Sequence, residues 1–198
     1  MTDRITEEDL LLLPENMVRL YAGGAFPMAD EENNIDWYYP QIRTVIPLAD
    51  FNIPRSLKKF MKSSEYTFTF DECTIDVVEA CAERKETWIS EKLKRAYRNL
   101  LKAGFLHSVE VWEENYLIGG LYGVSVNGVF FGESMFSRKS QASKTALVKL
   151  IAHLNSKQFT LLDVQYMTEH LRMFGAKEIS LEDYDTLRIK GLTIETSF

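Results

Sequence analysis

Three polar side chains sit where the surrounding sequence is apolar, and their chemistry suits the handling of an amine. Glu133 lies within Phe130-Phe131-Gly132-Glu133-Ser134-Met135-Phe136-Ser137-Arg138. An ionised carboxylate in such company is costly unless paired, so Glu133 is expected to receive a charged amine. A backbone donor or Arg138 is the blander partner. Asp163 and Gln165 stand two apart in an apparent strand, which predicts both side chains on one face and Leu162 and Val164 on the other. Glutamine is a poor base near neutral pH. Its carbonyl can still orient a nucleophilic amine while its amide donates to Asp163. Such a relay suits aminolysis of an ester, where positioning contributes much of the rate. Gly119-Gly120-Leu121-Tyr122-Gly123 is expected to keep the backbone beside these groups open. Leu121, Met135 and Phe136 are candidates for an apolar side-chain pocket, although a core stripe fits the same pattern.

What the chain lacks narrows the chemistry. It has no Gly-x-Ser-x-Gly elbow, and neither Cys73 nor Cys81 has an evident base, so no covalent acyl-enzyme is expected. It has no Gly-x-x-x-x-Gly-Lys-Ser/Thr run, the usual warrant for ATP hydrolysis. The two cysteines and His107, His153 and His170 share no ligand spacing, so neither a metal nor another cofactor is expected.

A second set of residues suits nucleic acid. Arg55, Lys58, Lys59 and Lys62 recur at helical spacing on one face, with Leu57, Phe60 and Met61 opposite and no acid among them. A solvated amphipathic helix explains some of this; the concentration of cations in an acidic chain favours phosphate contact. Such a helix grips backbone without reading bases. Trp37 falls in a polar, aromatic stretch ending Trp37-Tyr38-Tyr39-Pro40, which suits stacking on a base. Trp88 follows Glu83-Arg84-Lys85-Glu86-Thr87 at the mouth of a helix capped by Ser90. The net charge of −6 speaks against indiscriminate DNA binding but leaves an RNA substrate open.

These groups must be held by an ordered core, and a chain of 198 residues with 45% hydrophobic composition can build one without disulfides. Periodicity predicts helices at 7–13, 15–22, 54–63, 74–84 and 90–103, with a loop over 27–40, an edge strand over 42–48 ended by Pro47, and a strand at 66–70. From Ser108 the pattern changes to strands at 108–112, 116–126 and 129–131, the last two joined by an Asn127-Gly128 hairpin. A helix over 142–154, a strand over 159–166, a short helix from Thr168, a strand over 177–179 and a helix capped by Ser180 follow. Leu192–Ile194 is expected to add a final strand. The fold class is α+β: a mainly helical part, 1–104, preceding a sheet domain, 105–198, whose sheet is mixed and largely antiparallel with flanking helices. Met1 to Asp9, with Asp3 and three further acids, does not resemble a signal peptide, and no apolar run approaches the roughly 18 residues of a membrane span. A cytoplasmic monomer with no membrane partner is expected.

The chain is similar to the leucyl/phenylalanyl-tRNA–protein transferase family from about Leu20 to Tyr184. The motifs are Gly24-Ala25-Phe26-Pro27-Met28, Trp37-Tyr38-Tyr39-Pro40, Pro54-Arg55-Ser56-Leu57-Lys58-Lys59-Phe60, Thr87-Trp88-Ile89, His107-Ser108-Val109-Glu110-Val111-Trp112, Gly119-Gly120-Leu121-Tyr122-Gly123-Val124, Gly132-Glu133-Ser134-Met135-Phe136-Ser137-Arg138, Ala142-Ser143-Lys144-Thr145-Ala146-Leu147 and Asp163-Val164-Gln165. The resemblance implies an acetyltransferase-like sheet domain. It also implies transfer of leucine or phenylalanine from leucyl-tRNA or phenylalanyl-tRNA to the N-terminal amine of an acceptor protein, marking it for degradation. By the same resemblance Trp37 stacks on the terminal adenine, Glu133 holds the amino group of the aminoacyl ester, and Asp163 with Gln165 orients the attacking amine. Leu121, Met135 and Phe136 match the side-chain pocket, while Arg55, Lys58, Lys59 and Lys62 match the helix that meets the tRNA stem. The sequence departs from the family in three places: most of the small N-terminal domain is expected to be missing, the tail after Tyr184 is short, and Tyr166 to Ala176 keeps His170 and Gly175-Ala176 but not their usual neighbours. A related transferase that extends a cell-wall peptide, or a non-catalytic tRNA-binding protein, are the alternatives.

Overall fold

The computed structural model describes residues 6–198; Met1 to Ile5, including Asp3, lie outside the described residues. The chain opens with α1 (Glu7–Leu11) and α2 (Pro14–Ala22), then β1 (Phe26–Ala29), β2 (Ile35–Tyr38), β3 (Ile42–Ile46), α3 (Arg55–Ser63), β4 (Thr67–Phe70), α4 (Thr74–Ala82) and α5 (Glu91–Lys102). It continues with β5 (Leu106–Glu113), β6 (Tyr116–Val126), β7 (Val129–Ser137), α6 (Ala142–Ser156), β8 (Leu161–Gln165), α7 (Glu169–Arg172), β9 (Lys177–Ser180) and α8 (Leu181–Leu192). Local chemistry sets the helix starts. Thr6 and Asp9 form a reciprocal capping box, Pro14 occupies the first turn of α2, and the Ser90 hydroxyl accepts from the Leu93 amide.

Seven strands form one sheet in the order β4-β5-β6-β7-β8-β3-β9, antiparallel throughout except between β7 and β8. That parallel pair requires a crossover, which α6 supplies. Alternation along the strands then fills both faces. Phe131, Tyr122 and Val124 join a cluster with Val77, Leu93 and Tyr97, while Phe130, Leu121 and Val109 join one with Ala146, Leu147 and Leu150. The mixed, largely antiparallel α+β sheet stands as expected, preceded by a helical N-terminal region.

Several expected elements differ. Residues 27–40 form a two-stranded hairpin and not a loop, pairing Phe26 with Tyr38 and Met28 with Asp36. Its polar residues belong to the turn, where Asp30 Oδ1 accepts from the Glu32 and Asn34 amides, each at 2.9 Å. Trp37 therefore lies in a strand. The expected edge strand at 42–48 is interior, bracketed by β8 and β9, and Pro47 falls just beyond it, where no ladder donor is lost. The sheet takes β3 and β4 from before residue 104, so strand pairing crosses the expected division of the chain. β7 runs six residues past Phe131, to Ser137, and no strand forms at 192–194, where the Ile194 amide instead closes a turn onto Gly191.

Candidate active site

The sheet parts where its polar residues gather. β7 and β8 pair only from Val129 with Leu161 to Phe131 with Asp163. Beyond that point each strand bulges. On β7, Gly132 pairs with Gly123 and Ser134 with Tyr122, leaving Glu133 as the extra residue. On β8, Asp163 pairs with Val45 and Gln165 with Thr44, leaving Val164 extra. A bulge bends its strand and re-aims side chains. Gln165 completes the departure with a φ of 57°, a left-handed conformation that is costly for a residue with a Cβ. Gly123, opposite the first bulge, has no alternative: a Cβ there would approach the Phe131 carbonyl oxygen to 2.3 Å.

A cavity of about 730 Å³ opens in this split. Glu133, Ser134 and Gln165 give it polar groups, and Leu121, Met135, Phe136, Leu147, Leu150 and Leu162 are among its apolar lining. Trp88, Arg84 and Arg138 also line it. The structure thus brings Glu133, Gln165, Leu121, Met135, Phe136 and Trp88 to one cavity. Trp37 is not one of the lining residues; its ring packs edge-on against Tyr21 at 5.8 Å between centroids. The glycines of β6 close the backbone and do not open it. A Cβ on Gly119 would come within 2.5 Å of Ala142 Cβ, and one on Gly120 within 2.8 Å of the Val109 carbonyl oxygen.

Asp163 does not serve the cavity directly. It is fully buried and faces Arg43, which donates from Nε to Oδ1 at 3.0 Å and from Nη2 to Oδ2 at 2.6 Å. The Tyr184 hydroxyl donates to Oδ2 at 2.9 Å, and the Gln165 backbone amide to Oδ1 at 2.9 Å. The expected relay from the Gln165 side-chain amide to Asp163 is therefore absent. Because Gln165 leaves extended geometry, the period of two breaks there, and its main chain meets Asp163 while Nε2 has no partner. Arg43 itself lies between the rings of Phe26 and Tyr184, at 4.7 and 4.6 Å from their centroids. Burial lowers its proton affinity, but Asp163 outweighs that and leaves it above the ordinary arginine value.

Glu133 is the opposite case. Oε2 accepts from the Tyr97 hydroxyl at 2.9 Å, and Oε1 is buried with no partner. Burial pushes its carboxyl up to about 7, against the lowering effects of the Tyr97 and Tyr21 hydroxyls. Arg138, the alternative partner, pairs instead with Glu83 at 2.9 Å. The nearby Cys81 thiol is pushed up to about 12 by burial, which leaves it protonated and a poor nucleophile at neutral pH.

On α3, Arg55, Lys58, Lys59 and Lys62 are exposed, and none enters an ion pair among the described residues. Leu57 is buried and Phe60 and Met61 pack inward, in the cluster shared with α6. Since α6 also walls the cavity through Ser143, Leu147 and Leu150, the cationic face is braced on the element that borders the site.

Comparison with known proteins supplies the family. Residues 45–188 match the model for leucyl/phenylalanyl-tRNA protein transferase, and residues 11–41 the model for its N-terminal domain. The chain belongs to this family. A leucyl/phenylalanyl-tRNA–protein transferase from Salinibacter ruber is 45% identical over 184 residues, covering 92% of this chain and 81% of that protein. Another, from Paramagnetospirillum magneticum, is 44% identical over 193 residues, covering 94% and 92%. A functionally unknown conserved protein from Staphylococcus epidermidis aligns at a TM-score of 0.46 and 10% identity, over 90% of this chain and 66% of that one, a likeness too remote to add to the assignment.

Residues 11–41 carry the match to the transferase family's N-terminal domain, most of which was expected to be missing. Sequence reasoning passed over Arg43, Tyr97 and Tyr184. One signal was present for Arg43: a lone cation inside the apolar run Ile42–Ile46 must be either exposed or paired. Tyr97 was hidden by its place in the apolar stripe of α5, where its ring serves the core and its hydroxyl serves Glu133. His170 keeps its motif position and lines the cavity; Nε2 is unpartnered, and burial, then Lys144, lower its proton affinity.

Proposed function

We propose that the protein transfers leucine or phenylalanine from aminoacyl-tRNA to the N-terminal α-amine of an acceptor protein in the cytoplasm, marking that protein for degradation. The observation that carries this reading is the cavity in the sheet split of a chain from this family, with one under-bonded carboxylate beside an apolar recess. An unbranched-β hydrophobic side chain suits Leu121, Met135 and Phe136. The ammonium of the aminoacyl group suits Glu133, whose Oε1 lacks a donor. Trp88 offers its ring to the terminal adenine from the cavity wall, a task the placement of Trp37 makes less direct.

The reaction is aminolysis. The neutral acceptor nitrogen attacks the ester carbonyl carbon, forming a carbon–nitrogen bond and a tetrahedral oxyanion. Collapse breaks the carbon–oxygen bond to ribose, and the proton lost by the amine goes to the departing hydroxyl. Gln165 orients the incoming amine through its side-chain carbonyl, while Asp163 fixes the Gln165 backbone. The ester is already activated, so its cleavage supplies the driving force.

Purified protein, incubated separately with radiolabelled leucyl-tRNA and phenylalanyl-tRNA and a panel of N-terminal peptides, is expected to label those peptides without added ATP. Labelling of lysine side chains or cell-wall precursor amines, with none at peptide N-termini, would move the reading to the peptide-extending transferases. Binding of charged tRNA with no product on any amine would defeat a catalytic reading.

A further inference from the structure

We propose that Arg43 is a positioning residue for the transfer step, acting through Asp163 to hold Gln165 in the left-handed turn that presents its side chain to the cavity. Its kinetic consequence rests on the transferase reading above; its structural link does not.

Every hydrogen bond of the Arg43 side chain among the described residues goes to Asp163, and Nη1 has no partner. The fork pins the carboxylate plane, and the Tyr184 hydroxyl from α8 holds Oδ2 from a separate direction. Oδ1 is thereby aimed at the Gln165 amide, the one backbone donor that Asp163 accepts from. That amide belongs to the residue at φ 57°, where β8 leaves the sheet. A non-glycine residue persists in this conformation only where its surroundings over-determine it. The main chain supports the same link, since Thr44, next to Arg43, is the ladder partner of Gln165 across the bulge. Arginine and lysine are not equivalent in this place: lysine keeps the charge but cannot make the fork. With the carboxylate free to rotate, Gln165 loses the acceptor that fixes its turn, and the side chain loses its aim while the cavity that binds the aminoacyl end keeps its walls.

Arg43→Lys is compared with wild type, Gln165→Ala and the double variant, by single-turnover transfer, aminoacyl-tRNA affinity and amide hydrogen exchange. Arg43→Lys is expected to slow transfer by about 100-fold, with affinity changed less than about threefold. In the Gln165→Ala background it should add little, because the side chain it positions is gone. The Gln165 amide should exchange faster, while amides of β5 and β6 keep their protection. Tyr184→Phe removes one donor to Asp163 and keeps the ring, so it should show the same pattern more weakly, and it decides the matter if Arg43→Lys does not fold. Unchanged exchange at Gln165, losses that multiply in the double variant, or a fall in affinity matching the fall in rate would overturn the proposal. If wild type transfers nothing, the transferase reading fails, and the exchange measurement alone decides whether Arg43 holds Gln165.

Discussion

Two bulges on neighbouring strands each place a carboxylate beside the same split, one fully buried and one half-buried, and the two are treated in opposite ways. Asp163 on β8 is saturated: a guanidinium, a phenol and a backbone amide occupy its oxygens. Glu133 on β7 accepts one hydrogen bond within normal geometry, from Tyr97, and its other oxygen is buried without one, with the unpartnered Tyr21 hydroxyl nearby. A saturated carboxylate has nothing left to offer a substrate, so it acts as scaffold. An under-bonded one is costly in the free protein and is relieved by a cationic ligand, so it acts as receptor. The difference separates a residue that positions from a residue that binds, although both read in sequence as acids in apolar strands.

The sharpest way to break this contrast is Asp163→Asn. It leaves Arg43 buried with its charge uncompensated, and removing one partner of such a pair typically costs about 3–5 kcal/mol. Chemical denaturation should show a loss of that order, together with loss of transfer. A loss below about 1 kcal/mol would place the pair among weakly contributing ion pairs and erase the distinction.

Glu133→Gln should behave differently, sparing the fold and weakening capture. Hydrogen bonds to charged groups contribute about 1.5–3 kcal/mol, so affinity for aminoacyl-tRNA at pH 8 should fall roughly 10- to 100-fold. Deacylated tRNA, which brings no amino group, should bind both proteins equally. Equal weakening for charged and uncharged tRNA would assign Glu133 to the walls of the cavity.

The pH dependence follows from the same under-bonding. Burial raises the Glu133 carboxyl from its ordinary 4.5 to about 7. Between those values the folded protein holds a proton that the unfolded chain releases, so the stability contributed by this group falls as pH rises through the window. Glutamine does not titrate. The melting temperature of Glu133→Gln relative to wild type should therefore rise from pH 5 to pH 8. Its binding defect should run the same way, largest at pH 8 and small near pH 5, where wild type is also neutral at this position. A pH-independent difference in melting temperature would mean that Glu133 stays ionised throughout.

Sequence carried the architecture further than the site geometry. Helical spacing in α5 and α6, the Asn127-Gly128 hairpin and the change of period at Ser108 all reflect local physics, and the corresponding elements formed. Glu133, Gln165 and the apolar triad Leu121, Met135 and Phe136 were legible because their side-chain types contradict or extend an apolar pattern. The two bulges were not. The one on β8 depends on the register of β3, which is distant in sequence, the one on β7 on a shift within its own hairpin, and neither Val164 nor Glu133 carries a local mark of being the extra residue. The same limit hid the partner of Asp163, which comes from 120 residues away. The strand around Trp37 was hidden for another reason: the polar turn around Asp30 and Asn34 masked a short hairpin whose strands have only four residues each.

The smallest effect on the chemistry is expected at α3, and that makes it the control for the two carboxylates. Its cations are exposed and separated from the cavity by α6, so they can touch only the part of the substrate that lies outside. Every phosphate that a missing lysine no longer neutralises should lower the log–log salt slope of tRNA binding by roughly 0.7–0.9. Replacing Lys58, Lys59 and Lys62 by alanine should thus weaken tRNA binding at low salt and flatten its salt dependence. Transfer from a short aminoacyl-adenosine analogue, which has no stem to grip, should be unchanged, whereas Glu133→Gln should impair both substrates. The three lysines are exposed, and Leu57, Phe60 and Met61 make the packing of the helix, so the melting temperature should hold. Equal damage with the full tRNA and with the short analogue would show that α3 shapes the cavity wall through α6, and the division between gripping the stem and handling the amine would be lost.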